Sequence, residues 1–161
     1  MQLSTQQGSG IDHLSQSRGT IDYSAERIEA AKRLLPEDPR PYADIYFLRT
    51  LDILKAKKLN PWVVGQVMVR KGPGQVGGID EALAIIDKYS DLKRHGGRVY
   101  ALQDGDFYQP GDTVLRLEGP IQDIVALETM YLGVISGETT RLSEGLSEID
   151  LRSVQDNAKK I

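Results

Sequence analysis

The apolar positions of the chain change period several times, and each change marks an element. In "AERIEAAKRLL", Ile28, Ala31, Leu34 and Leu35 recur at helical spacing, with Asp22 or Ser24 as a cap and Pro36 as a stop. "PEDPRP" reads as a bend. A second helix is predicted from Tyr42 to Lys58, where Phe47, Leu48, Leu51 and Leu54 lie three or four residues apart on a face suited to burial. Lys55, Lys57 and Lys58 suit the negative end of its dipole. After Asn60-Pro61 the β-branched run "WVVGQVMVR" predicts a strand. "KGPGQVGG" predicts a loop. "IDEALAIIDKYSDL" predicts a third helix with Ile79, Leu83 and Ile86 on one side.

The segment "RVYAL", "QDGDFYQPGD", "TVLRLEG" reads as strand, turn, short strand, turn, strand, because both Gly-Asp pairs sit in strong turn contexts. Pro120 fits a first helical turn. "IQDIVALETMYLGVISGETTRL" then predicts one long helix, apolar on most of its circumference and therefore central. Left uncovered, such a helix predicts self-association of the isolated chain. "SEIDLRSVQDNAKKI" reads as the start of another helix, which the chain does not finish, so a longer parent protein or a trimmed product is expected. Residues 1–21, rich in Gln, Ser and Gly, have no apolar period and read as a disordered tail. Together these elements predict an α+β fold, with no repeat of 20 to 50 residues visible.

Composition narrows the chemistry. The 161 residues suit one domain, and 40% hydrophobic with 27% charged residues can bury a core. A net charge of −3 argues against nucleic-acid and anionic-membrane partners. No apolar run reaches the roughly 18 residues of a membrane span. No secretory signal pattern opens the chain, so a cytoplasmic location is expected. The absence of cysteine excludes thiolate nucleophiles and cysteine-bound zinc. His13 and His95 are the two imidazoles, and both fall in polar surroundings that predict solvation.

Five features could carry chemistry. "GPGQVG" matches G-x-G-x-x-G between a strand and a helix. Pro73 removes an amide from the phosphate cradle, and no acidic residue on a second strand follows, so a loop that admits close packing is the better reading. The two Gly-Asp turns resemble the hammerhead of biotinyl and lipoyl carriers. No lysine occurs from Val99 to Ile121, so a carrier function is not expected. Glu128 sits inside an apolar run, where it calls for an ion pair or a backbone hydrogen bond, or else a place near a ligand or subunit boundary. "SGETT" gathers hydroxyls that suit either an anion or a helix end. In "YADIYFLRT", helical spacing puts Tyr42, Tyr46 and Arg49 on one face and Phe47, Leu48 and Leu51 on another. The first face can stack on a flat charged ligand, bury against a partner, or form a surface cation–π pair.

"YADIYFLRT" and "GDTVLRLEGPIQDIVALETMYLGVISGETT", in this order and spacing, resemble the N-terminal part of nicotinate phosphoribosyltransferases. Quinolinate and nicotinamide phosphoribosyltransferases are the wider kin. The resemblance implies the α/β-hammerhead N-terminal domain of the type II phosphoribosyltransferases over residues 22–145. It further implies that residues 146–161 begin a linker helix into a C-terminal α/β barrel absent from this chain. Such enzymes transfer phosphoribosyl from phosphoribosyl pyrophosphate to nicotinate in NAD biosynthesis, with ATP hydrolysis and Mg2+. They are homodimers in which the first domain of one subunit covers the barrel mouth of the other. On this resemblance Tyr46 stacks on the pyridine ring and Asp44 is the motif acid. Arg49, Thr50, Ser136, Thr139 and Thr140 lie near the same site. Thr129 stands where quinolinate enzymes carry an arginine for the second carboxylate, which favours nicotinate. Catalytic and metal-binding residues are expected beyond this chain, which alone would supply lid and dimer contacts and bind neither ATP nor Mg2+. The alternative is a stand-alone hammerhead binding or interaction module, and a reading frame continuing past Ile161 into a barrel would decide against it.

Overall fold

A computed structural model describes residues 23–145 of the chain. Asp22, His13 and the helix expected over 146–161 lie outside the described residues. The described residues form four α-helices: α1 (Tyr23–Leu34), α2 (Ile45–Ala56), α3 (Ile79–Tyr89) and α4 (Glu128–Ser143). Five strands accompany them, two between α2 and α3 and three between α3 and α4: β1 (Trp62–Met68), β2 (Gly74–Gln75), β3 (Arg98–Ala101), β4 (Phe107–Tyr108) and β5 (Thr113–Pro120). The architecture is mixed α and β with two small sheets, and no barrel closes among the described residues.

The longer sheet has the order β1-β5-β3, antiparallel throughout. Its registers run from Trp62↔Pro120 to Val67↔Leu115 and from Arg98↔Glu118 to Ala101↔Leu115. Leu115 and Leu117 of β5 are buried, whereas Arg116 and Glu118, which alternate with them on the other face, are half-buried. The second sheet pairs β2 with β4. Two Q-x-G-D turns organise these strands. In each, the Asp carboxylate accepts from the Gln amide, Gln103 to Asp106 at 2.8 Å and Gln109 to Asp112 at 2.7 Å. Gly105 and Gly111 take the positive φ values of 91° and 93° that the turns require.

The core lies where α3 meets β5 and α4. Ile79, Ala82 and Ile85 pack with Val76, Val114, Leu115, Leu117, Tyr131 and Ile135. Burying each large aliphatic side chain here stabilises the fold by about 1.5–3 kcal/mol. The glycine motif before α3 serves this contact. A Cβ on Gly78 would sit 2.4 Å from the Val134 carbonyl oxygen, and one on Gly77 would meet Glu138 at 3.0 Å. Gly78 also holds φ at 78°. Only glycines let α3 and α4 approach this closely. The amides that a phosphate would need are occupied, since Ile79 donates to Asp104 Oδ1 at 2.8 Å. No dinucleotide cradle forms.

Several expected elements differ in the structure. The long helix from Ile121 is two 3-10 turns, Ile121–Asp123 and Val125–Leu127, followed by α4. Pro120 ends β5 and is also the N-cap of the first 3-10 turn, immediately before its first residue. The chain closes i→i+3 bonds instead, Ile124 N to Ile121 O at 3.1 Å and Leu127 N to Ile124 O at 3.1 Å, and Ile124, at a φ of −115°, breaks the run between the two turns. α4 is less central than its composition implies, with Tyr131, Ile135 and Thr139 forming one buried stripe. The burial expected of α3 is larger than one side, because six of its residues are buried. Leu34 of α1 is 87% exposed, outside the contact that α1 makes with α3. Ser24 lies within α1, where it is no N-cap.

Candidate functional site

α2 starts with a local device. Asp44 keeps an extended backbone and accepts from the Tyr46 amide at 2.7 Å, which makes it the N-cap. The Asp44 amide in turn donates to Thr129 Oγ1 at 3.1 Å, fastening the head of α2 to the head of α4. Thr50 donates its hydroxyl to the Tyr46 carbonyl at 2.9 Å. Tyr46 is thus held by its backbone at both ends while its ring is free. The side chain is 68% exposed, with one edge contact to Phe47 at a ring separation of 5.4 Å.

The face expected to carry Tyr42, Tyr46 and Arg49 does not form as such. Tyr42 belongs to a separate 3-10 turn, Arg40–Tyr42, because Ala43 and Asp44 are extended before α2 begins. The exposed side of α2 instead presents Ile45, Tyr46, Arg49 and Ile53. The opposite side, Phe47, Leu48, Leu51 and Leu54, is half-buried, and α2 has no fully buried residue. α2 packs mainly on the two 3-10 turns. A cavity of about 480 Å³ remains beneath it, lined by Leu48, Leu51, Lys55 and Leu127 among others. His95 also borders this cavity and is not simply solvated, since its Nδ1 lies 2.7 Å from Asp123 Oδ2.

The hydroxyl cluster on α4 divides. Thr139 is buried; its Oγ1 accepts from the Gly77 amide at 3.1 Å and donates to the Gly77 carbonyl at 3.3 Å, so it ties α4 to the glycine loop. Ser136 and Thr140 are exposed and border a second cavity with Arg70, Lys71 and Tyr108. Ser136 stands seven residues beyond Thr129, about 10 Å along the helix. Asp44, Tyr46 and Thr50 therefore form one cluster at the head of α2, and Ser136 with Thr140 forms another along α4.

Glu128 opens α4 and is half-buried. Neither the expected ion pair nor a side-chain hydrogen bond is made with any described residue, and burial pushes its carboxyl above the ordinary value. Its position in the first helical turn offers partial compensation through the helix dipole. Two further residues matter more than their sequence context suggested. Asp104 caps α3 from 25 residues away, and Arg27 bridges it at 3.2 Å to the buried Asp80 at 2.8 Å. Thr129 is the link between α4 and α2. The Q-D-G-D context signalled a turn at Asp104 but could not show which helix it would reach. Among the described residues, no group of three or more His, Cys, Asp or Glu could hold a metal ion, and no helix is long and apolar enough to cross a membrane.

Residues 44–138 match the family described as quinolinate phosphoribosyl transferase, N-terminal domain. That segment begins at the α2 cap and contains Tyr46, the whole of α3 and Ser136. Among solved structures, the chain is similar to a nicotinate-nucleotide pyrophosphorylase from Pyrococcus furiosus, with 26% identity and a TM-score of 0.50 over 74% of this chain and 28% of that one. A nicotinate-nucleotide pyrophosphorylase from Francisella tularensis shares 16% identity, with a TM-score of 0.45, over 67% of this chain and 35% of its own length. The present chain therefore spans well under half of either protein. No match was found among curated protein sequences. With more than half of its residues in the matched segment and its fold alike, the chain belongs to the quinolinate phosphoribosyl transferase family through the N-terminal domain.

Proposed function

We propose that this chain supplies the lid half of a pyridine-acid phosphoribosyltransferase site, with nicotinate as the acceptor and phosphoribosyl pyrophosphate as the donor, in NAD biosynthesis. The observation that carries the reading is Tyr46, an exposed ring on a helix whose first turn is fixed by Asp44 and Thr129. A ring that is immobile at its backbone and open on its face suits stacking on a flat heterocycle, because little ordering remains to be done on binding. Arg49 on the same exposed side adds positive charge for an anionic ligand. Ile45 and Ile53 flank these residues as apolar surface for a partner subunit, so that the lid closes over a barrel in a homodimer.

The choice of nicotinate rests on Thr129. Its hydroxyl accepts the Asp44 amide, and the side chain offers no cation for a second carboxylate. Mg2+ and ATP belong to the complete enzyme in this proposal and are assigned to no residue of the chain. The lid holds and orients the ring, excludes water from one side, and leaves group transfer to the barrel.

The experiment is Tyr46→Ala in an enzyme that contains the barrel. Loss of one stacking contact, worth about 1–3 kcal/mol for a planar base, predicts a rise in KM for nicotinate of roughly 5- to 150-fold. Unchanged nicotinate kinetics would remove Tyr46 from the site.

A further inference from the structure

We propose that α1 is a strap, fastened to α3 by charge more than by burial, which ionic strength releases while the rest of the domain stays folded. The device lies apart from the exposed side of α2 and does not depend on the phosphoribosyltransferase reading.

α1 brings little apolar contact. None of residues 25–34 is buried, and the apolar side chains half-buried in that range are Ile28 and Ala31. A ladder of polar contacts joins it to α3 instead. Arg27 bonds Asp80 at 2.8 Å and Asp104 at 3.2 Å, two carboxylates whose side chains are only 8% and 10% exposed. Lys32 pairs with Asp87. Lys88 donates to the Leu35 carbonyl at 2.9 Å, and the Tyr89 hydroxyl donates to the Pro36 carbonyl. These contacts follow the same order along both helices, so α1 and α3 run parallel. Side-by-side dipoles of one sense oppose such a contact, which leaves the side-chain charges to hold it. α1 also precedes residues 44–138, the segment that matches the family.

The surface beneath shows what the strap covers. Asp80, Ala84 and Asp87 share one stripe of α3, at i, i+4 and i+7. Asp80 and Asp87 meet α1, and Ala84 between them is 0% exposed yet stands outside the core cluster. α1 is therefore the cover of Ala84. Beside this stripe α1 walls a cavity of about 490 Å³, lined on its other sides by Leu83, Ile86, Leu92 and Val99. Release of α1 solvates Asp80, uncovers Ala84 and opens the cavity.

Salt separates the two kinds of contact. The Debye length falls from about 10 Å at 0.1 M to about 3 Å at 1 M, so the ion pairs of α1 weaken. Apolar burial between α3 and α4 is not screened. A helix of twelve residues is marginal in water by itself, so α1 melts once it is released. Such an opening costs less than unfolding the whole domain.

Hydrogen exchange on the full chain in 0.1 M and 1 M NaCl tests the strap. The α1 amides should exchange about tenfold faster in 1 M NaCl, with those of α3 unchanged. The chain has no cysteine, so Ala84→Cys supplies a single thiol beneath the strap. Its labelling by a water-soluble thiol reagent should accelerate by a similar factor. Arg27→Gln should give fast α1 exchange already at 0.1 M and lose most of the salt response, while circular dichroism checks that both variants fold. The proposal is overturned by α1 amides that exchange in step with those of α3, or that are already unprotected at 0.1 M. It is equally overturned by exchange indifferent to salt or to Arg27→Gln, or by a thiol at position 84 labelled no faster in 1 M NaCl.

Discussion

α2 and α3 are helices of nearly equal length, twelve and eleven residues, yet the molecule treats them in opposite ways. α3 buries six residues and packs on α4 closely enough to need glycine in the loop before it. α2 buries none, leaves a cavity beneath it, and exposes Ile45, Tyr46 and Ile53. Both are capped by aspartate at comparable distances, 2.7 Å for α2 and 2.8 Å for α3. The difference therefore lies in what surrounds each helix once formed. α3 organises the domain, whereas the apolar surface of α2 is only partly used by the domain itself. A helix so placed is available for an external partner.

The sharpest test of this contrast compares core truncations. Ile85 of α3 is 1% exposed and Leu48 of α2 is half-buried. Ile85→Ala should cost about 2–5 kcal/mol in urea denaturation. Leu48→Ala should cost about 1 kcal/mol, in proportion to the smaller area it removes from water. Equal losses would mean that α2 is as much a part of the core as α3.

The caps come next. Asp104→Ala removes the α3 cap and one of the two carboxylates bound by Arg27, and should cost about 1–2 kcal/mol. Asp104→Asn retains an acceptor for the Ile79 amide and should recover much of the loss. Asp44→Ala should cost about 1 kcal/mol or less, because α2 contributes less to the stability of the whole. A larger loss at Asp44 than at Asp104 would reverse the ranking of the helices.

These two aspartates also show what the sequence could reveal. Asp44 caps an amide two residues away, so the cap signal is local, yet the apolar spacing places the start of α2 at Tyr42, three residues early. Asp104 acts across 25 residues, and the turn chemistry that marked it carried no information about its target. The strands of the longer sheet and both Q-x-G-D turns were readable because their signals are local. The helix expected from Ile121 was not: the chain there closes as two 3-10 turns with Ile124 off helical backbone between them, and the apolar spacing carries no sign of that break. At the candidate site, Asp44, Tyr46 and Thr50 converge, while Thr139 turns inward to Gly77. Helical spacing alone could not separate Thr139 from its exposed neighbours.

Tyr46 gives a smaller effect that sharpens the same comparison. On the isolated chain, Tyr46→Ala should change stability by no more than about 0.5 kcal/mol, as for other exposed positions. A clear loss of stability would make the ring a structural element of α2 and weaken its assignment to a ligand.

The smallest effect concerns Glu128, at the junction where Thr129 joins α4 to α2. Burial raises its carboxyl above the ordinary value of 4.5, so the folded chain holds this proton more tightly than the unfolded chain. The stability it contributes is fully present below that value and is lost as pH rises through the folded value. Glu81 shares the direction, from burial first and then from Asp104, Asp80 and Glu138. Glu128→Gln removes one of the two contributions. Relative to wild type, the variant should therefore gain stability from acid to neutral pH, by about 0.5 kcal/mol or less. Urea denaturation of both proteins on either side of the carboxyl's titration measures the difference. The opposite slope would mean that the N-terminal dipole of α4 outweighs burial at this position. Glu128 would then be an ordinary first-turn acid, and the α2–α4 junction would be as well compensated as the cap of α3.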